Sequence, residues 1–120
     1  MTVRRLKSHT AQTGYVYEYY FVGKRTALAD DPLAPATEYI FDISSDRKTT
    51  CAVSVFLAPH VVESYAKSHE RSLSEPEQYA AVKLRLLQAL DEIPDMRQHG
   101  RRVTLEAEAL AALLESVGIE

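Results

Sequence analysis

Tryptophan is absent, cysteine occurs once and glycine only four times in this chain of 120 residues. Each shortage closes off a class of protein. A single cysteine, Cys51, cannot form a disulfide within the chain, so the sequence does not read as a secreted, disulfide-held scaffold. The glycines at 14, 23, 100 and 118 are isolated, which leaves no Gly-rich phosphate loop. No Gly-x-Ser-x-Gly elbow occurs, so the usual hydrolase signature is missing. No apolar run approaches the ~20 residues of a membrane-crossing helix. The start, Met1-Thr2-Val3-Arg4-Arg5-Leu6-Lys7, is basic, but the polar Ser8–Thr13 follows where a signal peptide would be apolar. A cytoplasmic protein is expected.

Basic charge is also in short supply. Fourteen Lys and Arg face seventeen Asp and Glu, a net charge of −3. That argues against broad nucleic-acid binding, which needs a positive field over the contact face. Neither Asp30-Asp31 nor Asp91-Glu92-Asp95 has the spacing or the glycine of a calcium loop.

What is present divides into two halves. Eight of the ten aromatic residues precede position 61, and nine of the thirteen leucines follow it. Aromatic and β-branched enrichment favours strand, while Leu, Ala, Glu and Lys favour helix. The reading is one α+β domain over 1–120, with 1–12 as an arm, 13–57 as sheet and 58–120 as helices. A small antiparallel sheet of about three strands would pack with three helices as a two-layer sandwich.

The first strand is expected over Thr13–Gly23. Lys24–Ala36 reads as a loop because Pro32 and Pro35 remove ladder donors. A hairpin follows, Glu38–Ser44 and Thr49–Leu57 around a turn at 45–48, with Tyr39, Phe41, Ile43, Val53 and Val55 facing the core. Pro59 suits a first helical turn, giving a helix over 59–70. Ser74 and Glu77 form a capping box for a second helix, whose stripe Tyr79, Val82, Leu86, Leu90, Ile93 ends at Pro94. A third helix is expected over 105–117, capped by Thr104 and stopped at Gly118.

Two places stand out as functional. Alternation puts Val16, Glu18, Tyr20 and Val22 on the face away from the core. With Ile40 and Phe56 this makes an apolar cluster of Val16, Tyr20, Val22, Ile40 and Phe56. Such a patch calls for a cover: the third helix, a second copy of the chain, or a partner. The second place is the basic segment 97–102. Arg97, Arg101 and Arg102 precede a helix start and could hold a phosphate or an acidic partner, joined by Arg4, Arg5 and Lys7.

Other candidates are weaker. His60 and His69 lie nine positions apart and point to opposite sides of a helix at about 100° per residue. His60 with Glu63 is too few ligands for a metal. Cys51 reads as a buried small apolar residue. The tyrosines lack the interleaved cations of an RNA-stacking platform and read as packing. No catalytic, metal or cofactor site is assigned. The expected function is a non-enzymatic interaction or regulatory module that self-associates through its aromatic sheet. The alternatives are an anion- or nucleic-acid-binding domain built on 97–102, and a small enzyme around His60, Glu63 and tyrosine hydroxyls.

Overall fold

A computed structural model describes residues 7–12, 14, 16–28, 35–45, 48, 50–92 and 102–116. Its elements in order are β1 (Lys7–Thr10), β2 (Val16–Leu28), β3 (Pro35–Ser44), β4 (Cys51–Leu57), α1 (Pro59–His69), α2 (Glu75–Glu92), β5 (Arg102–Thr104) and α3 (Ala107–Ser116). The class is α+β, as the sequence suggested.

The sheet is larger than expected. Among the described residues it has five strands in the order β1-β2-β3-β4-β5. The first three pairings are antiparallel. The last, β4 with β5, is parallel, so the sheet is mixed. Part of the expected N-terminal arm is β1. The expected loop is partly strand, because β2 runs on through Lys24-Arg25-Thr26 to Leu28. Polar residues read as loop in isolation, but β3 supplies their ladder partners from Thr26↔Thr37 to Glu18↔Ser44.

The hairpin follows its alternation. Tyr39, Phe41, Ile43, Cys51, Val53, Val55 and Leu57 all point into one core. Tyr17 and Tyr19 join them from β2. The helices close that core with Val61 and Tyr65 of α1, Val82, Leu86 and Leu90 of α2, and Leu110 and Leu114 of α3. Cys51 is buried, as its apolar surroundings implied.

The helix starts reflect local chemistry. Pro59 opens α1, and the helix ends where Glu70 takes a left-handed φ of 54°. The capping box of α2 forms in both directions. The Ser74 amide donates to Glu77 Oε1 at 3.0 Å, and the Glu77 amide donates to Ser74 Oγ at 3.3 Å. The third helix departs from expectation. It begins at Ala107, and Thr104 ends β5 rather than capping α3. The Leu105 amide donates to the Phe56 carbonyl at 2.9 Å, so this segment extends the sheet before any helix starts. Ile93, Pro94 and Gly118, expected to mark helix ends, lie outside the described residues.

One core group is left unsatisfied. The Tyr65 hydroxyl is buried with no hydrogen-bond partner among the described residues. An orphaned buried hydroxyl costs free energy that an isosteric ring does not. Tyr65→Phe is therefore expected to raise stability by about 1 kcal/mol, measured by urea unfolding. A loss of stability would show that the hydroxyl is satisfied in solution.

Candidate functional site

The face of the sheet away from the core is set by register. Glu38, Ile40 and Asp42 of β3 lie beside Phe56, Ser54 and Ala52 of β4. Glu18 and Tyr20 of β2 lie beside Ser44 and Asp42. On β5, Arg102 pairs with Ser54 and Thr104 with Phe56.

A bulge then re-aims the second half of β2. Its register shifts between Phe21 and Gly23, which makes Val22 the extra residue. Past a bulge the inward and outward positions exchange. Lys24 falls opposite Tyr39 on the core side, and Arg25 falls opposite Glu38 on the outer side. An isolated glycine in a strand pattern is the available signal for such a bulge, and Gly23 supplies it.

Arg25 is thereby brought to a nearly buried carboxylate. Glu38 is only 7% exposed. Arg25 Nε donates to Glu38 Oε1 at 2.8 Å, and the Ser54 hydroxyl donates to Oε2. The Arg25 hydrogen bond, followed by that from Ser54, holds the Glu38 carboxyl below its ordinary value, and the charge of Arg102 adds to this. Alongside, the Tyr20 hydroxyl donates to Asp42 Oδ2 at 2.8 Å.

The expected apolar cluster is consequently divided. Val16 and Val22 are exposed at 48% and 38%. Tyr20 and Ile40 are half-buried. Phe56 is not part of an open patch: it is 3% exposed, and the Arg102 guanidinium lies 4.7 Å from its ring centroid. A planar cation stacks well on an aromatic face, so a strand residue two positions from Thr104 covers what sequence alone left bare. The third helix is not the cover, because Leu110 and Leu114 bury it in the core on the opposite side.

Arg97 and Arg101 of the expected basic segment lie outside the described residues. Arg102 is in a strand rather than in a loop before a helix cap. Beneath β5 runs a groove of about 390 Å³, lined by Arg85, Gln88, Glu92, Arg102, Glu106 and Glu108 among others. Arg85 spends its donors on the Thr104 carbonyl at 3.2 Å and on Gln88 Oε1 at 3.1 Å. Three glutamates against two arginines give this groove no preference for anions.

His60 and Glu63 are exposed on α1. His69 stacks on Tyr65 at 4.0 Å between centroids. Among the described residues no group of three or more His, Cys, Asp or Glu could hold a metal. No described helix is long and apolar enough to cross a membrane. Sequence reasoning missed the pair His9 Nε2 and Asp91 Oδ1, 2.8 Å apart, which ties β1 to the end of α2. It spans 82 positions, and no local pattern signals it.

Comparison with protein-family models, curated proteins and solved structures yields no match.

Proposed function

We propose that this chain is a small non-enzymatic interaction module whose outer sheet face receives a second copy of itself. The observation that carries the reading is the position of Val16 and Val22. They are the exposed large hydrophobic residues among those described, and both belong to the strand from which Tyr17 and Tyr19 enter the core. The three described helices all contribute to the core on the inner face, which supports reading the outer face as the one that meets a partner.

A second copy suits the chemistry of that face. It carries Arg25 and Arg102 together with Glu18, Asp42 and Glu38. In a two-fold interface the same patch meets itself, so a patch holding both signs can match its own charges. The cytoplasm is the compartment that fits, since the one cysteine is buried and unbridged.

The test is mass in solution by light scattering and sedimentation over a concentration series. A dimer is expected for the native chain. Val16→Asp with Val22→Asp should weaken association at least tenfold (about 1.4 kcal/mol) by burying charge at the interface. Association should weaken only modestly with salt, because charge pairs add to an apolar contact, in contrast to the steep salt dependence of phosphate-driven binding. A native chain that stays monomeric at high micromolar concentration overturns the proposal.

A further inference from the structure

On the helix-covered side, the bulge in β2 has a second effect. Phe21 stands opposite Phe41 and Lys24 opposite Tyr39, so both fall on the core side of the sheet. In an unbroken strand, positions 21 and 24 would point to opposite faces. Across from them, the first turns of α2 bring Glu75, Pro76 and Tyr79. Glu75 and Tyr79 are four positions apart and share a helix face.

These residues, Phe21, Lys24, Tyr39, Glu75, Pro76 and Tyr79, line a hollow of about 300 Å³. That is the small end of the range for ligand pockets, about 300 to 1,000 Å³. Three rings make its wall. The Phe21 and Tyr79 centroids are 5.0 Å apart with their planes at 67°. Phe21 and Tyr39 are 6.3 Å apart at 39°, and Tyr39 and Tyr79 are 6.5 Å apart at 46°. Rings inclined in this way form a faceted corner rather than a flat stack. Phe41 backs the corner, stacked with Tyr79 at 6.3 Å.

A cation already stands in this corner. Lys24 Nζ lies 5.7 Å from the Tyr39 ring centroid and 3.4 Å from Glu75 Oε1. The first distance is within the ~6 Å reach of a cation–π contact. Aromatic faces are negative at their centres, and Glu75 adds a full negative charge at the rim, so the corner suits positive charge. Lys24 is nevertheless a loose occupant. Its side chain is 41% exposed and that of Glu75 is 82% exposed, so water screens the pair and weakens it. An ammonium also carries three donors, and Glu75 is the one carboxylate in the lining. A quaternary ammonium has no N–H to satisfy, and its methyl groups can bury against the rings.

We propose that this corner binds a small quaternary ammonium molecule of the choline type. Its methyl groups lie on Phe21, Tyr39 and Tyr79, and its charge faces Glu75. The Tyr39 ring is buried beneath Lys24, so the ligand reaches it as the Lys24 side chain swings into solvent. Lys24 is thus a built-in competitor that holds the affinity down. The site is independent of the outer face, since its residues lie on the other side of the sheet.

The probe is choline chloride, exchanged for sodium chloride at constant ionic strength and followed by amide shift mapping. The control is 3,3-dimethylbutan-1-ol, the uncharged isostere with carbon in place of the ammonium nitrogen. Saturable choline binding is expected, with shifts centred on residues 21–24 and 75–79 and the isostere about tenfold weaker. Glu75→Gln should weaken choline about threefold, as fits an exposed charge. Lys24→Gln should tighten it about threefold, a gain that a merely structural lysine would not give. Tyr79→Leu should weaken it about tenfold, with the thermal midpoint measured alongside to separate lost binding from lost folding. Absence of saturable binding at residues 21–24 and 75–79 overturns the proposal. So does equal binding of the isostere, or a Lys24→Gln variant that binds choline no tighter than the native chain.

Discussion

Phe41→Ala is expected to lower stability by about 4 kcal/mol and the melting temperature by about 15 °C. Phe41 is fully buried at the centre of the sheet, opposite Phe21 on β2 and Val53 on β4. Its ring centroid lies 5.4 Å from that of Phe21 and 6.3 Å from that of Tyr79. Truncation removes the transfer free energy of the ring and leaves a hole between strand and helix that backbone on both sides cannot collapse into. Phe41→Leu, which keeps most of the volume, should cost only about 1 kcal/mol. Urea unfolding checks both, with the slope unchanged if the unfolded state is unaffected. A loss below about 1.5 kcal/mol for the alanine would mean that the sheet and α2 close over the gap.

Glu38→Ala should cost about 2 kcal/mol, because it removes two charge-assisted hydrogen bonds from a nearly buried site. The residue also sets a pH dependence. Its carboxyl is held below the ordinary 4.5 by Arg25 and Ser54. A group with a lowered folded value stabilises the fold above 4.5, and that contribution disappears as pH falls through the lowered value. Glu77 behaves alike. Arg71, then the Ser74 amide and hydroxyl, bring its carboxyl down to about 2. Stability should therefore fall between pH 4.5 and about 2. Glu38→Gln with Glu77→Gln should flatten that stretch of the curve, followed by urea midpoints at a series of pH values. An unchanged acid limb in the double variant would place the titration elsewhere.

The elements legible in advance were those whose stabilising contacts are near in sequence. The capping box at Ser74 and Glu77 spans four residues, and it formed. The alternation of Glu38–Ser44 and Cys51–Leu57 repeats every second residue, and its buried side is the core. What escaped notice depends on partners far along the chain. Lys24-Arg25-Thr26 becomes strand only because β3 pairs with it. Arg102-Val103-Thr104 is too short to show any period, and it becomes strand only because β4 is beside it. Val16 and Val22 are exposed and Tyr20 and Ile40 half-buried, but the chemistry around them was not foreseen. The Glu38 network needs the bulge to bring Arg25 round, and the cover of Phe56 needs β5 to exist. Of the three arginines singled out, Arg102 alone lies among the described residues, and its place is a strand.

The bulge at Val22 bears on aggregation as well. β1 pairs with β2 only from Val16 to Tyr19, so among the described residues the rest of β2 keeps an open ladder edge. Such an edge is a template for strands of other molecules. Here the template is interrupted near its start, where Val22 breaks the spacing of donors and acceptors. Two cations follow at Lys24 and Arg25, and like charges would face each other if two copies met along this edge. The irregularity that carries Arg25 to Glu38 thus also makes the longest strand of the sheet a poor seed for fibrils.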